Sequence, residues 1–376
     1  MLGDLGLRTF PHSHHIFLPL TFTANCGKLT VFSHLDKMKY FNISALFLAL
    51  ALVCAGCRLQ DPLSLWNDGA PAKTALLEFV ADATDEGSES FIPPDERIAV
   101  FDLDGTLLCE TAPTYFDWAL FEKRVLDDKD CIPTAAQRDA ALASRENGIF
   151  PPLSVEREQM VSEAYAGMTL EEFSAYVRAF CDEPLPGFSG LRRGDAFYRP
   201  MLEVIDYLAA NAFTVYVISG TDRFTARALV AASPLKLAPR QIIGSDSEIA
   251  ASGQRDADAL SYIYKRDDAP VLTGRFIVKN LQMNKVSAIV KEIGAKPVLA
   301  FGNAMSDASM ANYTIVANPR KALAFMLVCD DDEREYGNPA KAEKMRRACA
   351  ANGWIPVSMK SDWKTIYGAS RKQEMP

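Results

Sequence analysis

Apolar positions along the chain fall into short unbroken runs and spaced helical stripes, in alternation. Ile98 to Phe101 is such a run, bounded sharply by Asp102, and suits a strand buried on both faces. Thr214 to Ile218 and Pro297 to Phe301 read as two more strands, stopping at Ser219 and Gly302. Thr314 to Ala317 and Ile355 to Ser358 are expected to add further strands. Helical spacing appears at Leu202, Ile205 and Leu208, over Asp222 to Ala232, and from Lys285 through Val286, Ile289, Val290 and Ile293 to a stop at Gly294. Between the first two strands, residues 111 to 195 show no strong strand run. Four helices are expected there: Thr114 to Leu126, Thr134 to Asn147, Val155 to Ala166 and Leu170 to Cys181. Turn signals at Pro133, Gly148, Pro151-Pro152, Gly167 and Pro184 to Gly190 separate them. Arg58 to Glu96 reads as a tether with a lead-in helix around Leu76 to Val80. Ile242-Ile243 and Tyr262-Ile263-Tyr264 read as short strands or a hairpin with no assigned chemistry.

The amino-terminal pattern differs. Met38-Lys39 precedes an apolar run from Ile43 to Ala55, followed by Gly56-Cys57. A basic start, a short apolar stretch and small residues describe a secretory signal, and the run is too short to span a bilayer comfortably. Cys54-Ala55-Gly56-Cys57 resembles a bacterial lipoprotein box, with Cys54 where Leu is usual. That resemblance implies lipid attachment at Cys57, a membrane-anchored extracytoplasmic protein (periplasmic or cell-surface), and residues 1 to 37 as an extension ahead of the true start.

Charge and histidine usage narrow the chemistry. The net charge is -8, and from Cys57 onward 36 basic residues face 46 acidic ones, a poor balance for a nucleic-acid partner. All four histidines lie in the first 37 residues. A mature chain from Cys57 therefore has no Ser-His-Asp triad, Cys-His pair or His-ligated metal. Beyond Cys57 the cysteines are Cys109, Cys131, Cys181, Cys329 and Cys349, without a CxxC spacing, so neither a zinc site nor a disulfide framework is expected.

The remaining chemistry gathers where strands stop. Asp102 and Asp104 follow the first strand, then Gly105 permits a tight turn. Open parallel sheets bind ligands at the carboxyl ends of their strands, and two neighbouring acids there need a cation or a proton to offset their repulsion. Tyr115, Phe116 and Trp118 follow closely, as an aromatic wall for a quaternary amine or as packing core.

Asp102-Leu103-Asp104-Gly105-Thr106 resembles the first motif of the haloacid dehalogenase superfamily, in its phosphatase branch. Ser219-Gly220-Thr221 is similar to the second motif, Lys285 to the third, with Lys279 its rival, and Gly302-Asn303-Ala304-Met305-Ser306-Asp307 to the fourth in the form common near phosphoserine phosphatases. Ala304 departs from the usual Ser in that motif, and Gly105 stands where the strict phosphoserine family has Ser. The resemblance implies an α/β fold with a doubly wound parallel sheet, core at 96–111 and 196–376, and an inserted helical cap at 112–195. It leaves 38–57 as signal and 58–95 as tether.

The implied activity is Mg²⁺-dependent hydrolysis of a small phosphate monoester. Asp102 would be nucleophile and Asp104 acid and base, Ser219, Gly220 and Lys285 would hold the phosphoryl group, and Asp102, the Asp104 carbonyl and Asp307 would hold the metal. A phosphotransferase or phosphomutase of the same superfamily, and a non-catalytic surface-binding lipoprotein, are the alternatives.

Overall fold

The computed structural model describes residues 61–111 and 114–369 and the backbone of 371–372; the signal-like run and Cys57 lie outside them. Seven strands form one sheet: β1 (Ile98–Phe101), β2 (Thr214–Asp222), β3 (Ile242–Ala251), β4 (Pro270–Val278), β5 (Leu299–Gly302), β6 (Leu323–Val328) and β7 (Ile355–Ser358). Their order is β4-β3-β2-β1-β5-β6-β7, and every pairing is parallel except β3 with β4. The doubly wound parallel sheet is thus present, with one antiparallel strand on its edge.

β1 sits at the centre because it is apolar on both sides. Ala99 and Phe101 join one buried cluster and Ile98 and Val100 the other. Phe101 stacks on Phe301 of β5 at 4.2 Å between centroids, and Phe301 stacks on Phe325 of β6 at 4.9 Å. Burying each such ring stabilises the fold by roughly 1.5–3 kcal/mol. The register pairs Phe101 with Val217 and Phe301, so β1 and β5 end near one level while β2 runs on to Asp222.

Four helices lie between β1 and β2: α2 (Phe116–Leu126), α3 (Ala135–Asn147), α4 (Val155–Glu163) and α5 (Leu170–Cys181). Capping boxes at Thr134/Gln137 and Thr169/Glu172 fix the starts of α3 and α5. Two ends differ from expectation. α2 begins at Phe116 because Tyr115 is extended and donates its hydroxyl to Glu110 at 3.0 Å. α4 stops at Glu163, and Gly167 turns at φ +84 so that its N–H donates to Leu272 O of β4 at 2.8 Å. Leu272 N–H in turn donates to Met168 O at 2.9 Å, and Gln159 bonds Phe276 N–H and Gly274 O.

Three further expectations are corrected. From Asp61 the lead-in is no loose tether. Leu63 and Trp66 are buried, Trp66 packs edge-on against Trp363, and its indole donates to Pro200 O at 3.0 Å, ahead of helix α1 (Pro71–Thr84). Thr314 to Ala317 is not a strand. Thr314 and Ile315 finish a helix over Ala308–Ile315, where Thr314 donates to Met310 O at 3.0 Å and Met310, Ala311 and Thr314 face the core. The strand is Leu323–Val328, an apolar run that pairs with β5, so packing overrides β-branched preference. Ile242-Ile243 does open a hairpin strand, but its partner is Pro270–Val278. Tyr262 to Tyr264 form part of an exposed connecting loop in which Tyr262 and Tyr264 bond Asp268.

Candidate functional site

The site begins where β1 stops. Asp102 N–H still donates to Phe301 O at 2.9 Å, which holds the first acid in line with the sheet. The chain then turns tightly: Thr106, Leu107 and Leu108 all donate to Leu103 O, and Gly105 adopts φ +79. A Cβ on Gly105 would overlap the Asn303 side chain, so the glycine serves both the turn and the close approach of β5's loop.

Lys285 lies in the first turn of the helix over Met283–Ala288 and is fully buried. Its Nζ donates to Asp102 Oδ1 at 2.5 Å and to Asp307 Oδ1 at 2.7 Å. The other Asp307 oxygen accepts from Asn303 N–H and Ala304 N–H, each at 3.0 Å. The backbone of Ala304 therefore supports Asp307. Gly302 lets this happen, since a Cβ there would meet Asp307 Cβ at 2.6 Å. Lys279 is elsewhere: it donates to Glu158 at 2.7 Å and lies 3.7 Å from Asp117.

Asp102 and Asp307 face the buried Lys285 ammonium, and a third buried carboxylate, Asp104, lies two residues from Asp102. Burial first, then repulsion from Asp307, holds Asp102 well above the usual carboxylate range, with Lys285 opposing. Asp104 is pushed up to about 7 by burial and by Asp117, against the hydroxyl of Thr221. Burial disfavours the Lys285 charge, but Asp102 and Asp307 keep it above its ordinary value. Among the described residues no three Asp, Glu, Cys or His side chains converge on one point. Two carboxylates and a main-chain carbonyl nevertheless make an all-oxygen donor set, and the excess of buried acid over base fits a hard divalent cation.

The second strand end supplies the opposite wall. Thr221 donates its hydroxyl to Asp104 Oδ2 at 2.7 Å. β2 does not stop at Ser219 but runs through it to Asp222; Ser219 is fully buried and its Oγ accepts from Thr221 N–H at 3.0 Å, while Gly220 and Thr221 line the cavity. Asp222 occupies the amino end of the following helix, α6 (Arg223–Ala231), accepting from Phe224 N–H and Thr225 N–H.

The cavity measures about 290 Å³, and Asp102, Asp104, Glu110, Tyr115, Leu153 and Lys279 are among its lining residues. The aromatic wall is not built. Phe116 and Trp118 are buried, Trp118 donates to Ser144 at 2.8 Å, and Arg157 covers its ring at 4.7 Å, so these aromatics are packing core. Only Tyr115 of the three lines the cavity. Sequence reasoning missed Thr221, the pairing of Glu110 with Lys341, and Arg157 in the wall. Thr221 was visible as a hydroxyl two positions past Ser219; Lys341 carries no local signal. All five described cysteines are free.

A doubly wound α/β sheet thus gathers acids and an ammonium at its strand ends. Residues 99–312 match the haloacid dehalogenase-like hydrolase family, over half of the chain, and the protein belongs to that family. No curated protein sequence matches. Among solved structures, a conserved functionally unknown protein from Anaerococcus prevotii DSM 20548 is 13% identical at TM-score 0.48, covering 78% of this chain and 94% of its own. Cytosolic 5'-nucleotidase IIIB bound to cytidine is 14% identical at TM-score 0.47, covering 81% and 92%. A substrate-bound phosphoserine phosphatase is 12% identical at TM-score 0.34, covering 66% and 90%. At these scores the likenesses carry no argument about substrate.

Proposed function

We propose that this protein hydrolyses a small phosphate monoester, with Mg²⁺ as cofactor, through an aspartyl-phosphate on Asp102. The observation that carries the reading is the buried Asp102–Lys285–Asp307 cluster, with Asp102 and Asp104 both lining one cavity. An Asp102 oxygen forms a new bond to phosphorus as the ester P–O bond breaks, which splits one hard step into two. Asp104 gives a proton to the departing alcohol oxygen, then takes one from the water that hydrolyses the phosphoenzyme. Lys285 offsets charge on the transferring phosphoryl oxygens, and Ser219 and Gly220 hold them. Asp102, the Asp104 carbonyl and Asp307 would hold Mg²⁺, which when bound supplies Lewis-acid polarisation of the phosphoryl group. EDTA should abolish hydrolysis of an aryl phosphate and Mg²⁺ should restore it; full turnover in chelator would overturn the reading.

We assign the helical insertion at 112–195 as a cap on the core at 96–111 and 196–376. No helix among the described residues is long and apolar enough to cross a membrane. The membrane attachment we propose is a lipid on Cys57, supported by the run from Ile43 to Cys57, and it would put the enzyme outside the cytoplasm without a nucleic-acid partner. Cys57→Ala should move the protein out of the membrane fraction; unchanged partitioning would refute the anchor.

A further inference from the structure

We infer that Thr221 is a positioning residue that holds Asp104 by Oδ2, so that Oδ1 is the oxygen that exchanges a proton with the leaving group. This rests on the phosphatase reading above.

The two residues are 117 positions apart in sequence, both are buried, and both line the cavity. The Thr221 hydroxyl donates to Asp104 Oδ2 at 2.7 Å. Asp104 Oδ1 is buried without a hydrogen-bond partner among the described residues. A buried oxygen without a partner is costly, so its freedom calls for a visitor. A hydroxyl has one proton to donate, and Thr221 directs it at Oδ2. Oδ2 is thereby engaged, and Oδ1 is left as the oxygen with no partner among the described residues.

Thr221 is itself held on two sides. Its N–H donates to Ser219 Oγ at 3.0 Å. The preceding carbonyl, Gly220 O, accepts from Ser245 Oγ of β3 at 2.6 Å, and Ser245 Oγ accepts from Asn280 N–H at 2.9 Å. Thr is also stiff about its first side-chain bond. The hydroxyl is therefore a fixed fulcrum for Asp104. In the first half-reaction the Oδ1 proton moves to the ester oxygen as that oxygen leaves phosphorus. In the second, Oδ1 takes a proton from the attacking water, which restores the starting state and releases phosphate.

The test compares Thr221→Val, which keeps the shape and removes the hydroxyl, with Thr221→Ser, which keeps the hydroxyl. Steady-state kcat/KM, which reports steps up to phosphoenzyme formation, is measured on an alkyl phosphate and an aryl phosphate, alongside thermal unfolding. An alkyl alkoxide needs a proton to depart, whereas an aryl oxide needs little. Thr221→Val should lose roughly 10- to 100-fold on the alkyl ester, the worth of one hydrogen bond to an ionisable group. Its loss on the aryl ester should be markedly smaller. Thr221→Ser should recover most of the alkyl rate. Should Thr221→Val not fold, Thr221→Ala against Thr221→Ser carries the same comparison. Equal losses on both esters, or a Ser variant as impaired as the Val variant, would overturn the role of Thr221. A wild-type protein inert to both esters would instead overturn the phosphatase reading, and this inference with it.

Discussion

Replacing Lys285 by Met tests whether a single ammonium balances the buried acids. Met keeps length and apolar bulk while removing the charge. Lys285 Nζ is 2.5 Å from Asp102 and 2.7 Å from Asp307, and its side chain is fully buried, so solvent cannot take over its task. Breaking a buried pair by removing one partner costs about 3–5 kcal/mol, because the remaining charge is uncompensated. For a body of roughly 300 residues each kcal/mol moves the unfolding temperature by about 1.5 °C, so Tm should fall by about 5–8 °C. Added Mg²⁺ should narrow the gap, since a divalent cation would replace the charge the variant lacks and so bind it more tightly; each tenfold gain in affinity is worth about 1.4 kcal/mol at saturating cation. The assay is thermal unfolding by circular dichroism with EDTA and with Mg²⁺. Lys279→Met is the control, because that side chain keeps some exposure and pairs with Glu158 away from Asp307; its loss should be clearly smaller. A Lys285→Met protein that melts within a degree of wild type in EDTA would refute the charge balance described here.

Asp102→Asn should leave only background turnover and no phosphoenzyme, whereas Asp104→Asn should still bind Mg²⁺ and lose about 10²–10⁴ in rate, less with aryl phosphates. Turnover and metal binding lost equally in both would merge the two roles. Asp222→Asn should keep the cap on α6 and remove a carboxylate whose folded value is raised by burial; charging that group costs stability, so the variant should gain on wild type as pH rises from the ordinary carboxylate value, about 4, through the raised folded value. A constant stability difference across that range would contradict this. Trp66→Ala should cost about 3–5 kcal/mol, measured by urea unfolding, if the segment from Asp61 is part of the core. A variant as stable as wild type would return that segment to the status of a tether.

Local chemistry made part of the site legible. The run Ile98 to Phe101 and the acids after it lie within seven residues, so burial, turn and charge could be read together. Lys285 stood out as a cation at a helix start, and it does meet Asp102. The errors have a common origin in contacts between distant residues. Thr314 to Val316 have strand-forming side chains, yet β5 takes Leu323 to Val328 as its neighbour. Thr221 acquires its partner only because β2 lies beside β1, and Glu110 meets Lys341 from 231 positions away. No window along the chain contains either fact.

The bonds between Gly167, Met168 and Leu272 have a consequence for solubility. β4 is the outermost strand of the sheet, and an uncovered edge is a template for pairing with another chain. The helical insertion covers that edge with its own main chain, which Thr169 also meets opposite Val271. A chain relieved of the insertion would bare the middle of β4. Its first failure would be self-association, at concentrations where the intact protein stays dispersed. The insertion is thus constrained on the side that keeps neighbouring molecules apart.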